Sequence, residues 1–387
     1  MKTAIYALSA DPITYGHINI VDRALAVFDK VVVAIGNNQT KKYTFTLDER
    51  EQLAKAVFSG KKYENRIEVA SFRGLLVDFA FEQSITTIIR GVRNTTDFTF
   101  EQVLNDVNQS QRLGVDIYIL IADQTLSHVS SSAVKELQAN SGKNILDYVP
   151  LAIKEALEIR ISKQFRIGIT GSIGAGKSFV SKKLRKYNND IKHINIDDIG
   201  RYIVTESQHP IDVRTREQLA KMLNLSLPMS LDTLTNCIFG NANALHTFNE
   251  LMQEPILLKL RQQLFGLKGI ILIESAIFAE THTSHVVNNN MILVSASNDV
   301  CYERLKSRYK FLADISDSKI DEDIVRRMSS QFCTDDKRRS LEADIAKAGH
   351  GTIIDFCNDK PYQSDFEDLL VRVEKLSKLK ITGDVNE

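Results

Sequence analysis

Several features that would point to particular protein classes are scarce or missing in this sequence of 387 residues. It has only four cysteines, which lie far apart and without CxxC or Cys/His ligand spacing, so neither a disulfide scaffold nor a structural zinc site is expected. Lysine plus arginine and aspartate plus glutamate number 49 each, and this balance excludes a strongly polarised nucleic-acid binder. No apolar run reaches the length of a membrane-spanning helix, so no membrane segment is expected.

The N-terminal stretch is apolar but short. Residues 3–10 run straight into Asp11-Pro12, which is typical of a first β-strand rather than of a secretory signal. Together with the few cysteines, this indicates a protein of the cytoplasm. The hydrophobic share of 43% and the charged share of 25% are typical of globular proteins, and the length predicts two or three domains.

Short β-rich runs alternate with longer amphipathic stretches through the first 160 residues or so. The strand-like runs are 4–8, 31–35, 67–69, 87–89 and 117–121, and the helical patterns between them include 18–27, 47–57 and 75–83. This alternation predicts a doubly wound, parallel α/β sheet. A helical pattern over 151–161 is followed by a new strand at 165–170 and a second α/β unit. We therefore expect two α/β domains, 1–162 and 163–387.

The first chemical motif, Asp11-Pro-Ile-Thr-Tyr-Gly-His17, lies between the first strand and the first helix. Gly16 would let a phosphate approach the backbone, the helix amides attract anions, and His17 can donate to charge that develops on phosphorus. A plain turn whose histidine only caps the helix is the alternative. Further polar clusters follow later strands, at Lys41-Lys42, at Arg90-Gly-Val-Arg93 and at residues 127–132. Open α/β sheets place ligand contacts at such strand ends, although solvated charges and an ordinary serine cap would give similar patterns.

Five segments of this region, DPITYGH, TKKYTFTLDER, GLLVDFA, RGVRNTTDFTFE and SHVSSSAVKE, resemble the bacterial type of the phosphopantetheine adenylyltransferase family in order and spacing. The resemblance implies a Rossmann-like nucleotidyltransferase fold that moves AMP from ATP to 4′-phosphopantetheine, releasing pyrophosphate and forming dephospho-coenzyme A. It implies that His17 stabilises charge on the α-phosphate, and it makes a homo-oligomer through this domain possible. The phosphopantetheine contacts that it implies are Ser9, Lys41, Leu76, Arg90 and Asn108. The ATP contacts that it implies are Ser9, Ala10, His17, Gly91, Val92, Arg93, Glu101, Leu126, Ser127, His128, Val129, Ser130, Ser131 and Ser132.

The second motif, Gly171-Ser-Ile-Gly-Ala-Gly-Lys177-Ser178, fits the pattern GxxxxGK[ST] between a predicted strand and a predicted helix. In a P-loop of this kind the backbone amides cradle phosphates, Lys177 reaches the outer phosphate oxygens, and the Ser178 hydroxyl binds Mg²⁺. A glycine-rich turn that binds nothing is the alternative. Asp197 follows the next strand and could accept the proton of an attacking hydroxyl or help to hold Mg²⁺, or it could simply cap a helix.

The second half resembles the dephospho-coenzyme A kinase family over about 165–375, through TGSIGAGKS, IDDIGR, RRMSSQ and IIDFCND. The resemblance implies a P-loop kinase fold with helical acceptor and lid segments, and it makes Asp197 the candidate base for the 3′-hydroxyl of the acceptor. The basic residues Arg326, Arg327 and Lys337-Arg338-Arg339 are expected to form the lid, or alternatively a solvated helix face. Asn195, Glu254 and Ala276 depart from the family pattern at acceptor-side positions. The expected ATP contacts are Gly171, Ser172, Ile173, Gly174, Ala175, Gly176, Lys177, Ser178 and Phe179.

The two resemblances name consecutive reactions, adenylylation and then 3′-phosphorylation, a combination found in bifunctional coenzyme A synthases. This implies that ATP and Mg²⁺ serve both sites, that the partners are small-molecule substrates, and that neither nucleic acid nor membrane is a partner. Two alternatives stay open. One is an adenylyltransferase whose kinase half has degenerated, and the other is a non-catalytic scaffold that only binds nucleotides.

Overall fold

The computed structural model describes residues 1–38, 41–93, 95–110, 114–141, 145–238, 241–312 and 317–381. The chain divides into two compact units, Met1–Ile161 and Ser162–Glu387. Each unit contains a sheet of five parallel strands flanked by helices, so the prediction of two doubly wound α/β folds is confirmed. Within the described ranges, no helix is both long and apolar enough to cross a membrane.

The first unit builds its sheet in the order β3-β2-β1-β4-β5. Its elements in chain order are β1 (Thr3–Leu8), α1 (Tyr15–Ala24), β2 (Lys30–Ile35), α2 (Leu47–Val57), β3 (Ile67–Ser71), α3 (Leu76–Glu82), β4 (Thr87–Val92), α4 (Thr95–Ser110), β5 (Asp116–Ile121), α5 (Ser131–Ser141) and α6 (Leu151–Leu157). The middle strand, β1, pairs with β2 on one side and with β4 on the other. The turn that carries the first motif therefore leaves the sheet at its centre.

The helix after β1 begins earlier than the sequence pattern predicts. The apolar periodicity predicts a start near Ile18, whereas α1 begins at Tyr15 with Thr14 as its N-cap. The difference arises because polar bonds between Thr14 and His17, rather than apolar spacing, form the first turn. His17 consequently lies inside the first turn of the helix, where its backbone position is fixed.

The second unit builds its sheet in the order β10-β9-β6-β8-β7. Its elements in chain order are β6 (Gln164–Gly171), α7 (Lys177–Tyr187), β7 (Lys192–Asn195), α8 (Ile196–Thr205), α9 (Pro210–Leu223), α10 (Leu231–Ile238), α11 (Ala242–Leu264), β8 (Gly269–Glu274), β9 (Asn290–Ser295), α12 (Asn298–Leu312), α13 (Asp317–Ser329), α14 (Thr334–Ala348), β10 (Thr352–Cys357) and α15 (Gln363–Ile381). The middle strand is again the first strand of the unit, β6, and it is buried along its whole length. Its C-terminal end opens directly into the P-loop.

Candidate active sites

The geometry of His17 defines which atom it can offer to a ligand. Its Nδ1 accepts a hydrogen bond from the Thr14 backbone N–H at 3.0 Å and lies 2.9 Å from the Thr14 Oγ1 atom. A backbone N–H can only donate, so Nδ1 carries no proton in this arrangement. Burial, reinforced by the positive charge of Arg93, lowers the pKa of His17 to about 4. The neutral imidazole therefore keeps its proton on Nε2, where it can donate to an anion.

The turn around His17 is held in place by Asp11. This buried carboxylate accepts from the backbone N–H groups of Thr44 and Phe45 at 3.0 to 3.1 Å and forms an ion pair with Lys135 at 2.8 Å. The Ser131 hydroxyl donates to the Pro12 carbonyl at 2.8 Å. Segments that follow β2 and β5 are thereby fixed against the turn that follows β1.

Arg50, on α2, is a structural centre of this site that the sequence did not reveal. Its side chain is 1% exposed, and it donates to the Ser9 carbonyl at 2.5 Å, to the Gly36 carbonyl at 2.9 Å and to Asn37 Oδ1 at 2.9 Å. Its guanidinium also lies 4.0 Å from the centre of the Tyr43 ring. Arg50 thus links the ends of β1 and β2. Nothing in its local pattern distinguishes it from exposed arginines on amphipathic helices.

Arg90 and Glu101 form an ion pair, with 2.9 Å between Nε and Oε2. The sequence assigned Arg90 to phosphopantetheine and Glu101 to ATP. Burial raises the pKa of Glu101, while the charge of Arg90 opposes that shift. Arg90 also donates to the Ala7 carbonyl at 3.3 Å. The pair therefore lies beside the C-terminal half of β1.

The other residues predicted for the first site lie in varied surroundings. Gly91 is required by packing, because a Cβ there would come within 2.8 Å of the Ile20 side chain. Arg93 pairs with Asp97 at 3.1 Å. The remaining residues differ in exposure. The buried ones are Ala10, Val92 and Val129, the partly buried ones are Ser9, Leu76, Leu126, Ser130 and Ser131, and the exposed ones are Lys41, Ser127, His128 and Ser132. The side chain of Asn108 lies outside the described residues.

The P-loop of the second unit adopts a strongly curved backbone. Gly174 and Gly176 have φ values of +81° and +91°, which side chains with a Cβ rarely adopt. The Lys177 ammonium donates to the Gly171 carbonyl at 3.0 Å and to the Ser172 carbonyl at 3.2 Å. Burial lowers the pKa of Lys177, and the negative charge of Asp197 opposes that shift. The lysine therefore spans the loop as a partly desolvated cation.

Glu274, at the end of β8, is the second functional candidate that the sequence reasoning missed. One carboxylate oxygen accepts from the Ser178 hydroxyl at 2.5 Å, and the other accepts from the Ser181 hydroxyl at 3.2 Å and lies 2.9 Å from His193 Nε2. Burial acts to raise its pKa, but the bonds to His193 and Ser178 and the nearby Lys177 charge hold the pKa below its ordinary value. A buried apolar strand that ends in a carboxylate after a P-loop was the signal available in the sequence.

Asp197 lies at the second position of α8 and does not cap this helix. The cap is Asn195, whose side-chain oxygen accepts from the Asp197 backbone N–H at 2.9 Å. The carboxylate of Asp197 is left available on the P-loop side, where it interacts electrostatically with Lys177. Displacement of water by the surrounding protein raises the pKa of Asp197, and the Lys177 charge opposes that shift. The capping alternative is therefore wrong for Asp197 itself.

The basic residues predicted to form a lid are bound to protein groups. Lys337 is 0% exposed, forms an ion pair with Glu280, and donates to the Ala276 carbonyl at 2.6 Å, so it is neither a lid nor a solvated face. Arg326 and Arg327 pair with Asp323, Arg338 with Asp355, and Arg339 with Asp336. Near the loop itself, the Ser172 and Thr334 hydroxyls are 3.4 Å apart, Ile173 packs beside α12, and Phe179 is half exposed against Phe366.

Comparison with known proteins gives these two sites a class. Residues 6–137 match the cytidylyltransferase-like family, and residues 165–350 match the dephospho-CoA kinase family. The chain therefore combines a nucleotidyltransferase domain with a kinase domain.

The relatives of the first domain are more particular. Phosphopantetheine adenylyltransferases from Geotalea daltonii and Geobacter metallireducens are 40% and 38% identical over 163 and 162 residues, which is 42% of this chain in both cases and 99% and 97% of those proteins. The chain thus belongs, through its first unit, to the phosphopantetheine adenylyltransferase family, and its second unit is a dephospho-CoA kinase domain. Both predicted family resemblances are confirmed. Among solved structures, a dephospho-CoA kinase from Campylobacter jejuni is similar at 18% identity and a TM-score of 0.32, over 55% of this chain and 97% of that one.

Proposed function

We propose that this chain catalyses two consecutive steps of coenzyme A biosynthesis, the transfer of AMP from ATP to 4′-phosphopantetheine and the 3′-phosphorylation of the resulting dephospho-coenzyme A. One observation carries the proposal. In each unit the middle strand of the sheet, β1 or β6, leads into a turn at the start of a helix, and a side chain able to donate to phosphate, His17 or Lys177, is fixed by bonds within that turn.

In the first reaction a phosphate oxygen of 4′-phosphopantetheine attacks the α-phosphorus of ATP, and the bond to the bridging oxygen of pyrophosphate breaks. No proton has to move, so the protein needs to supply orientation and positive potential. His17 donates from Nε2 to the α-phosphate oxygens, at the N-terminus of α1, where backbone amides also favour anions. Lys41 and Arg90 hold the acceptor phosphate, and Arg93 and the segment 126–132 hold ATP.

In the second reaction the 3′-hydroxyl of dephospho-coenzyme A attacks the γ-phosphorus of ATP, and ADP leaves. Asp197 accepts the hydroxyl proton, and the shift of its pKa above the ordinary aspartate value makes it a better base. Lys177 moves from the loop carbonyls to the phosphate oxygens and neutralises their charge. The P-loop amides orient the transferred group.

The donors beside the P-loop fit Mg²⁺, which we propose as the metal at this site. The Ser178 hydroxyl donates a hydrogen bond to Glu274, so the lone pairs of its oxygen remain available to a cation. The nearby carboxylates are hard oxygen donors of the kind Mg²⁺ prefers. No cluster of three or more metal-binding side chains occurs in the part of the chain that the structure describes. Ser178 would hold the ion together with ATP, and the ion would neutralise phosphate charge.

The proposal extends to the setting of the reactions. All three substrates are small molecules, and we expect the chain to act in the cytoplasm without a nucleic-acid or membrane partner. Assembly into a homo-oligomer through the first unit is a further part of the proposal.

A single assay tests the function. Purified protein is incubated with ATP, Mg²⁺ and 4′-phosphopantetheine, and the products are separated chromatographically. Coenzyme A is the expected product. Dephospho-coenzyme A alone would support an adenylyltransferase with a degenerate kinase half, the alternative favoured by Asn195, Glu254 and Ala276. Neither product would support a nucleotide-binding scaffold.

A further inference from the structure

The backbone carbonyl of Ala175, in the middle of the P-loop, is held by two donors from other parts of the second unit. Asn358 Nδ2 donates to it at 2.6 Å, and Arg304 Nη1 donates to it at 3.3 Å. Ala175 is fully buried, and Asn358 is 1% exposed. The bond from Asn358 is therefore buried and the bond from Arg304 partly buried, and a hydrogen bond shielded from water is electrostatically stronger than one at a surface.

The two donors are themselves fixed. Arg304, on α12, also donates through Nη2 to the Asn358 carbonyl at 2.6 Å. Asn358 directly follows β10, and its backbone N–H donates to the Ser295 carbonyl at 2.7 Å. A planar guanidinium that bonds both Ala175 and Asn358 joins α12, the end of β10 and the P-loop in one network.

This network sets the direction of the amide that follows. In a trans peptide the C=O and the next N–H point in opposite directions, so fixing the Ala175 carbonyl toward Arg304 and Asn358 turns the Gly176 N–H away from them. The N–H groups of Lys177 and Ser178 come next, in the first turn of α7, where a backbone N–H has no carbonyl four residues earlier within the helix. Gly176 also permits the close approach, because a Cβ there would lie 2.3 Å from Asn358 Nδ2.

We propose that Arg304 and Asn358 are positioning residues that preorganise the P-loop: they hold the Ala175 carbonyl toward themselves and so direct the Gly176 amide toward a bound anion. The inference rests on the proposed function insofar as ATP is the anion. Neither residue touches the reacting atoms. They contribute to nucleotide affinity, because a loop that must become ordered on binding has a lower affinity than a loop that already has the bound conformation.

The test compares three single variants of the full chain. Asn358→Asp replaces the donor that faces the Ala175 carbonyl with an acceptor of the same shape. Arg304→Lys keeps the charge but loses the planar guanidinium whose separate nitrogens reach the Ala175 and Asn358 carbonyls. Arg372→Gln is the matched control, since Arg372 donates to a carbonyl of the same strand, that of Asp355 at 3.3 Å, away from the P-loop. The readouts are KM for ATP and kcat in the phosphorylation of added dephospho-coenzyme A, and hydrogen–deuterium exchange of residues 171–178 without nucleotide.

For Asn358→Asp we expect KM for ATP to rise by about tenfold or more, the equivalent of one lost buried hydrogen bond, with kcat changed much less. Exchange of 171–178 should become faster, adenylyl transfer should be unchanged, and Arg372→Gln should resemble the wild type. Unchanged KM and unchanged exchange in both Asn358→Asp and Arg304→Lys would overturn the proposal. If the wild type phosphorylates nothing, the proposed function fails, and the exchange rates alone then decide whether the network shapes the loop.

Discussion

At the scale of single residues, one backbone contact of His17 determines which ring nitrogen can donate a hydrogen bond. The Thr14 N–H occupies Nδ1, so the imidazole can only offer the Nε2 proton, and the lowered pKa keeps the ring neutral. This is the form that suits a donor to a phosphate whose negative charge grows in the transition state. It does not suit a general base, because the remaining lone pair is already engaged.

Replacement of His17 by alanine tests this role. We expect His17→Ala to lower the turnover number of adenylyl transfer by about 100- to 1,000-fold, the usual effect of losing one transition-state donor, with little change in ATP affinity measured by calorimetry. Phosphorylation of added dephospho-coenzyme A serves as the internal control and should be unaffected. An unchanged turnover number would remove His17 from the mechanism.

The pH profile tests the protonation state. Because the pKa of His17 is lowered to about 4, the ring is neutral throughout the range from pH 6 to pH 8 and gains a proton only as the pH falls toward 4. We therefore expect no inflection from His17 near the ordinary histidine pKa in the pH profile of the turnover number of adenylyl transfer. Any inflection seen there should be present in His17→Gln as well. Such an inflection, present in the wild type and absent from the variant, would contradict the assignment.

Glu274 offers a matched test in the second unit. Glu274→Gln keeps the shape of the side chain but removes the charge beside Ser178 and His193. We expect phosphorylation of dephospho-coenzyme A to fall by about 10- to 100-fold, as for other residues that orient a metal ligand, and the Mg²⁺ concentration at half-maximal rate to rise. Glu367→Gln, at an exposed position of α15, is the control. Equal Mg²⁺ dependence in wild type and variant would show that Glu274 does not act through Ser178.

At the scale of elements, Gly91 has a role in packing β4 against α1 that can be tested apart from its expected role in binding ATP. A Cβ on β4 at this position would collide with Ile20 on α1, so Gly91→Ala should destabilise the protein by about 1–3 kcal/mol, the range for overpacking a core. The double variant Gly91→Ala/Ile20→Ala should regain part of the loss relative to the sum of the single variants. Urea unfolding followed by circular dichroism measures both. If the double variant is no better than additive, crowding against Ile20 is not the cause.

Elements and motifs were predictable to different degrees from the sequence. The parallel strands are mostly apolar runs separated by helical patterns, and the turns after β1 and β6 each carry a contiguous motif. Both can therefore be predicted from the local sequence. Arg50, Glu274 and Asn358 have partners that are distant in sequence, Ser9, Ser178 and Ala175 respectively. No local pattern encodes such pairs, because only the order of strands in the sheet brings them together. The buried place of Lys337 was missed for the same reason.

At the scale of the whole molecule, we expect that a substitution in one site abolishes the reaction of that site and leaves the reaction of the other site unchanged. In the proposed mechanism Lys177 acts on phosphate charge in the second unit only, so we expect Lys177→Ala to abolish coenzyme A formation while dephospho-coenzyme A accumulates at the wild-type rate of the first step. Product analysis over time, starting from 4′-phosphopantetheine and ATP, measures this, and His17→Ala supplied with dephospho-coenzyme A is the reciprocal control. Loss of pyrophosphate release in folded Lys177→Ala would contradict two separate sites.

The strand order of the second sheet has a consequence for how the chain is made. In the first unit β1 pairs with β2, the next strand to be synthesised, with Thr3 opposite Lys30. In the second unit β6 pairs with β8 and β9. Gln164 therefore has no partner until Gly269 has been synthesised, and in the described chain five helices, α7 to α11, lie between the two strands. Throughout that interval an apolar strand stands unpaired in the nascent chain, which is the state most exposed to aggregation. In cells short of chaperones, we therefore expect the second unit to be lost to aggregation before the first.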